Sequence, residues 1–417
     1  MRRVIFRVVV IAAVLLVSLA GSAAYGQLTL EDIEKLRKEG EVNGWTFMVG
    51  LNPATQYSLE ELCGQLPLEE EEIEPSAVEA DVTAGFVTAE SLPSVFDWRE
   101  LVGSVPIKDQ QNCASCWAFS AVGALEFAIL IHDGVIEDLS EQWLISCTRA
   151  GNCGGGYYSK ALGYFTGWYS DKCDEWGAVM EADYPYIAHN SQCDCFDRYY
   201  VLKSWYYTGD DIASIKEGIY NYGPVCTSVY ADTAMQAYTG GVFNACKDKK
   251  YINHAVVLVG WDDSQGTNGV WIMRNSWGPE WGEEGYMKIE YGCSLVGEAT
   301  AYVDYSSAAE FAVYPLNGLN VSWRPKKDPV SDLNKTYTVS NYSDDVISWT
   351  ATKTQDWLNV TPAAGSLVAG QSEEVQVCPD ADYLESGGSF TDTVTFTDTT
   401  HDISELREVE ILVLTLE

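Results

Sequence analysis

The sequence predicts an α+β unit followed by an all-β sandwich. Three observations carry that expectation. Nine of the 12 cysteines fall between Cys113 and Cys246, which marks one stapled central unit. Inside it, "WAFSAVGALEFAILIHDG" (Trp117 to Gly134) has the texture of an amphipathic helix, whereas "NHAVVLVGW" (Asn253 to Trp261) is a β-rich run. After Asn320 the chain turns to threonine, valine and serine in short alternating runs, the pattern of strands with one buried face.

Composition narrows the function classes. The chain has 417 residues, of which 47% are apolar, so a sizeable core can form. Net charge is −36, from 61 acidic against 25 basic side chains. Such a surface repels phosphate backbones and excludes nucleic acid as a partner.

Taken in order, the first stretch reads as a secretory signal over residues 1–26. Arg2, Arg3 and Arg7 precede the apolar run Val8–Val17, and "GSAAYGQ" supplies the small residues of a cleavage site. The apolar run is short for a membrane span, and no cysteine near the cleavage point invites a lipid. The expected location is outside the cell or in the periplasm. Next, "LEDIEKLRKEG" predicts a helix from Leu30 stopped by Gly40. The acidic run Glu69–Glu72 reads as a solvated linker and a natural processing site, so residues 27–92 form a leader segment with its linker. The cysteine-rich unit is expected over 93–312 and the sandwich over 313–417. In the latter, Tyr337 and Val339, Ile347, Trp349 and Ala351, Val394 and Phe396, and Val409, Ile411 and Val413 alternate with polar residues. Turn signals between them predict about seven strands.

The chemistry lies in "NCASCWAFS" (Asn112 to Ser120), where Cys113 and Cys116 admit three readings. A zinc site needs a second CxxC or a paired histidine motif, but Cys193 and Cys195 stand too close together and the chain has four histidines. A redox pair would follow a strand in a βαβ unit, which "VPIKDQQN" does not supply. A nucleophile at the start of the following helix would have its thiolate favoured by the helix dipole. It would need a base, which His254 can provide, and an orienting group, for which Asn275 is placed in "WIMRNSWGPEWGEEGYMKI".

The stretches "PSVFDWRE", "KDQQNCASCWAFS", "LSEQWLISC", "GNCGGGYY", "YPY", "GPV", "NHAVVLVGW" and "NSWGPEWGEEGY" together resemble the papain family of cysteine proteases, in that family's order. The resemblance implies a two-lobed fold, helical on the left and β-barrel-like on the right. It implies Cys116 as nucleophile, His254 as acid/base, Asn275 as the orienting residue and Trp277 as a shield over that hydrogen bond. Gln110 and the Cys116 N–H would form the oxyanion hole, which binds the charge that develops in the transition state. Cys113 becomes a structural partner: the mapping implies disulfides Cys113–Cys153, Cys147–Cys193 and Cys246–Cys293. Cys173–Cys195 is added because both remain unpaired in one region, and Cys226 reads as a buried thiol. No metal or other cofactor is implied.

For substrate, the resemblance implies that Gly155 and Gly156 present backbone to an extended peptide. Tyr157, Tyr158, Ser228 and Ala255 would surround S2, and Glu298 would stand at its base, where it would admit arginine as well as apolar residues at P2. Gln111 and Ala114 replace glycines usual in the family, and Ala114 adds a methyl near S1. Asn253 replaces an aspartate seen in many members. "GWTFMVGLN…LCG" resembles the short propeptide of cathepsin-B-like enzymes, which blocks the cleft as an inhibitor. The occluding loop of those enzymes has no counterpart after "GNCGGGYY", which implies an endopeptidase. Protonation of carboxylates would loosen the propeptide in acid. The stretch "WLNVTPAAGSLVAGQ" resembles the BACON type of immunoglobulin-like domain, which implies a spacer or a module for glycan or cell-surface ligands, with Trp349 and Trp357 as candidate sugar-stacking residues. The expected function is therefore a secreted zymogen that hydrolyses proteins or peptides. A catalytically silent binding scaffold and a thiol acyl-transferase or ligase are the alternatives.

Overall fold

A computed structural model describes residues 27–67, 87–246, 251–305, 311–314, 318–325, 327–341, 343, 345–384 and 387–414. The signal stretch and the acidic run Glu69–Glu72 lie outside the described residues.

The leader opens with the helix Leu30–Asn43, whose N-terminus is closed by a capping box between Thr29 and Asp32. It runs past Gly40, the expected stop, to Gly44, which takes the left-handed conformation (φ 67°) that only a residue without a side chain adopts cheaply. Gly40 instead makes room for the Trp45 ring: a Cβ there would stand 2.9 Å from it.

The peptidase-like unit is built around the helix Cys116–Asp133. Every residue from Cys116 to Ile131 is buried, so this helix is apolar all round and not amphipathic. It runs between the left-lobe helices Glu141–Cys147 and Tyr158–Phe165 on one side and the strand His254–Asp262 on the other. Its one carboxylate near the middle, Glu126, meets Lys108 Nζ at 2.6 Å, and Glu141 approaches the same ammonium at 3.1 Å. Buried charge is tolerated here because it is paired.

The right lobe is a nine-stranded sheet. Its central order is Tyr238–Phe243, Tyr286–Glu290, Val270–Arg274, His254–Asp262, Val225–Val229, Glu298–Asp304 and Ser204–Tyr207. The leader strand Thr46–Val49 adds to the outer edge, antiparallel to Tyr238–Phe243. That edge pairing fastens the leader by main-chain hydrogen bonds, independently of the cleft. Four disulfides staple the unit, Cys113–Cys153, Cys147–Cys193, Cys173–Cys195 and Cys246–Cys293. Cys226 is a buried free thiol.

The C-terminal part is an all-β sandwich of nine strands among the described residues, two more than the alternation suggested. One sheet has the order Phe311–Tyr314, Lys335–Asn341, Ser372–Pro379, Leu358–Thr361. The other has the order Leu319–Trp323, Ile403–Val413, Gly388–Asp398, Ile347–Thr352, Ala364–Leu367. The strand Phe311–Tyr314 pairs with Lys335–Asn341, so the sandwich takes in Phe311 and Ala312, ahead of the expected boundary at 313. All the alternating residues named above are buried between the sheets. Trp349 and Trp357 are in that core, which leaves neither ring a face to offer a sugar.

Candidate active site

Cys116 is the first residue of the central helix, where unpaired N–H groups and the helix dipole gather positive potential. His254 is the first residue of its strand, and Asn275 follows the strand Val270–Arg274 directly. His254 Nε2 lies 2.8 Å from Asn275 Oδ1. Oδ1 only accepts, and it also takes the Ser276 N–H at 2.8 Å, so Nε2 carries the hydrogen and Nδ1 is the basic nitrogen. Nδ1 has no hydrogen-bond partner among the described residues. Trp277 stacks on the imidazole with centroids 4.7 Å apart, covering the His254–Asn275 bond.

Gln110 is fully buried and its amide is fixed at both ends. Oε1 accepts from Ser276 Oγ at 2.7 Å, which turns Nε2 toward the cleft. There Nε2 donates to the Leu62 carbonyl oxygen at 3.0 Å and to the Cys113 carbonyl at 2.8 Å. Ser276 was not singled out by sequence reasoning, although it stands in the quoted "NSWGPEW". Its hydroxyl orients Gln110 and its N–H orients Asn275, so one residue links the two.

The leader occupies the cleft. The Gly64 N–H points at Cys116 Sγ, 3.1 Å away. Gly156 donates its N–H to the Gly64 carbonyl at 2.8 Å and accepts the Leu66 N–H at 3.0 Å. The Gln65 N–H reaches the Asn253 carbonyl at 3.1 Å. Gln65 thereby pairs with Gly156 in parallel. Gly64 has no room for a side chain: a Cβ would stand 1.8 Å from the Ala114 carbonyl oxygen and 2.9 Å from its methyl. The preceding residue, Cys63, is a free and half-buried thiol beside Cys116, raised well above its ordinary pKa chiefly by burial and then by Cys116 itself.

Burial also governs Cys116 and His254. It pushes the Cys116 thiol up to about 11, against the backbone N–H groups of Ala255, Gly64, Gln65 and Trp117 that favour the thiolate. It pushes His254 down to about 4, opposed by the hydrogen bond to Asn275. Between these values both are neutral, so under the leader Cys116 is a thiol.

Of the expected substrate-binding residues, Gly155 and Gly156 form a short hairpin with Gly151 and Asn152 beside the leader. Tyr157 is half-buried under Lys160, whose ammonium lies 4.1 Å from the ring centroid. Tyr158, Ser228 and Ala255 are fully buried. Glu298 is exposed at the start of its strand, opposite Ser228 in the ladder. The chain there turns through left-handed backbone at Ser294, Leu295 and Ala299, which re-aims the side chains.

Comparison with known proteins follows this geometry. The profile of the family described as "Papain family cysteine protease" matches residues 92–306, and that described as "Viral BACON domain" matches residues 326–403. Fruit bromelain of Ananas comosus is 30% identical over 295 residues, covering 65% of this chain and 79% of the relative. The viral cathepsin of Heliothis zea nuclear polyhedrosis virus is 35% identical, covering 50% of this chain and 56% of the relative. Pro-cathepsin H of Mus musculus is 37% identical, covering 50% and 63%. The chain thus spans less than two thirds of the latter two. Among solved structures, digestive procathepsin L 3 of Tenebrio molitor larval midgut is similar at a TM-score of 0.53 and 27% identity, covering 66% of this chain and 88% of the other.

Proposed function

The chain belongs to the papain family of cysteine proteases, and on that footing we propose that it is a secreted endopeptidase made as a zymogen with a Cys116–His254–Asn275 centre. The observation that carries this reading is the leader in the cleft. It meets the same groups a peptide substrate needs, but a backbone N–H faces Cys116 where a substrate would put its carbonyl carbon. A nucleophile facing an N–H has nothing to attack, so residues 27–67 act as an inhibitor and not as a substrate.

Once the leader leaves, water and substrate reach the pair, and the desolvation that keeps both neutral is relieved. The Cys116 proton then passes to His254 Nδ1, and the thiolate is favoured by the helix N-terminus. It attacks the substrate carbonyl while the Gln110 amide and the Cys116 N–H hold the forming oxyanion. His254 protonates the leaving amine, Asn275 holding the ring in position. Water, deprotonated by His254, then releases the acyl group. Four disulfides and the arginine-led N-terminus favour an oxidising, exported location. The sandwich serves as a spacer or targeting module.

The state of the thiol gives a direct test. Iodoacetamide is expected to alkylate Cys116 of the intact zymogen slowly from pH 5 to 8, at a rate that climbs with pH because the thiolate is a small fraction throughout. Removal of the leader is expected to raise that rate at least about 100-fold, since a two-unit change in thiol pKa alone changes the thiolate fraction that much. Equal rates in both forms would contradict the account.

Acid is expected to speed processing. Glu61 accepts from Ser58 N–H at 2.7 Å and Ser58 Oγ at 2.9 Å, fixing the turn that delivers Leu62 to Gln110. Net charge is −36, so acid lowers the negative charge of leader and enzyme together. The cap of the long leader helix holds in acid. The Thr29 hydroxyl and N–H hold Asp32 down to about 2, so its contribution is full above about 3.8, fades toward 2 and largely survives at pH 4. Processing at pH 4 should therefore exceed that at pH 7.5 while the helix stays formed. Equal rates at the two pH values would remove the acid trigger.

A further inference from the structure

Two of the four free thiols meet in the cleft. Eight of the 12 cysteines are paired, which leaves Cys63, Cys116, Cys226 and Cys378. Cys226 is fully buried with its thiol on the Ser120 carbonyl, and Cys378 belongs to the sandwich strand Ser372–Pro379. Cys63 stands in the leader beside Cys116, and its thiol senses the charge of that sulfur.

The backbone fixes how close they come. The N–H that lies 3.1 Å from Cys116 Sγ is carried by the peptide bond joining Gly64 to Cys63. A peptide nitrogen stands about 2.4 Å from the preceding Cα, which puts the Cys63 Cα within about 5.5 Å of that sulfur. Disulfides join cysteines whose Cα atoms are about 4.4–6.8 Å apart, so the two residues are within cross-linking range. The docked leader holds them there from both sides. Cys63 donates its own N–H to the Leu59 carbonyl at 2.8 Å, the Leu62 carbonyl accepts from Gln110 at 3.0 Å, and the Gly64 carbonyl accepts from Gly156 at 2.8 Å.

Resting on the protease reading above, we propose that Cys63 is a covalent latch, which forms a disulfide with Cys116 when the zymogen meets a small disulfide oxidant such as glutathione disulfide. Cys63 is half-buried and Cys116 fully buried, so the oxidant reaches Cys63 first. The Cys63 thiolate attacks one sulfur of the oxidant and expels one glutathione thiolate. The Cys116 thiolate then attacks the Cys63 sulfur of the mixed disulfide and expels the second. Two protons leave the protein, two electrons pass to glutathione disulfide, and one S–S bond replaces another. With its sulfur tied, Cys116 cannot attack a peptide. Acid loosens the leader but breaks no S–S bond, so the latched zymogen needs a thiol reductant as well as acid.

The test holds full-length zymogen and its Cys63→Ser variant in a glutathione and glutathione disulfide buffer, then denatures them and counts free thiols by N-ethylmaleimide mass addition. The wild type is expected to take up two maleimides, at Cys226 and Cys378, with fragment spectra placing a bond between Cys63 and Cys116. The variant is expected to take up three. Transferred to pH 4 without reductant, the wild type is expected to process itself at least about 10-fold more slowly than the variant, and dithiothreitol should bring both to one rate. Four reactive thiols in the wild type, or glutathione left on Cys116, overturn the proposal, as do equal processing rates without reductant; none of these touches the protease reading. If neither form processes even with dithiothreitol, the protease reading falls, while the thiol count still decides whether the bond forms.

Discussion

Replacing Cys116 by alanine is expected to lower peptide hydrolysis by about a million-fold, the scale seen when the nucleophile of such a triad is removed. Every later step depends on the bond that sulfur makes. Without it His254 has no acyl-enzyme to form or release, and Gln110 has no oxyanion to hold. The fold should persist, because Cys116 forms no disulfide and alanine suits a buried helix start. Far-ultraviolet circular dichroism should match the wild type, and the purified variant should remain full length after signal removal. Residual activity above about a thousandth of the wild type would mean that another group attacks the substrate.

The second large effect concerns the inhibitor. Gly64→Val in a peptide of residues 27–67 is expected to weaken inhibition of the leader-free enzyme by roughly 100-fold. A side chain at that position collides with the Ala114 carbonyl, a backbone atom that cannot step aside. The segment must lift, and its contacts with Cys116, Gly156 and Gln110 go with it. Two or three hydrogen bonds at about 1 kcal/mol each give that factor. The edge strand Thr46–Val49 is remote from Gly64 and should still dock, so binding weakens without vanishing. An unchanged inhibition constant would show that the cleft segment contributes nothing to the block.

The proposed catalytic set is legible in the sequence because each member stands in its own dense local motif. Cys116 opens an apolar helix, His254 opens an apolar strand, and Asn275 is followed by Ser276 and the shielding tryptophan. Local chemistry and global position agree there. What depends on a distant partner is not legible in the same way. The pairing of Thr46–Val49 with Tyr238–Phe243 joins residues far apart in the chain, and nothing in "TFMV" names its partner. Gly40 looks like a helix stop because glycine usually is one, yet here it serves the packing of Trp45. The hydrogen bond from the Tyr158 hydroxyl to the Ala299 carbonyl is likewise a property of two lobes meeting. The central helix looks amphipathic in the sequence because Glu126 interrupts its apolar run, yet Lys108 neutralises that carboxylate and the helix is buried all round.

The most direct test of the central claim is hydrolysis of a protein substrate by the isolated chain after its leader has been removed, with the products weighed by mass spectrometry. The account predicts internal cleavage, two new termini per cut, each adding one water, and complete dependence on Cys116. A chain that is folded, freed of residues 27–67 and still inert would contradict it and leave a silent binding scaffold. Products that carry an added amine in place of water would make the same thiol a transferase.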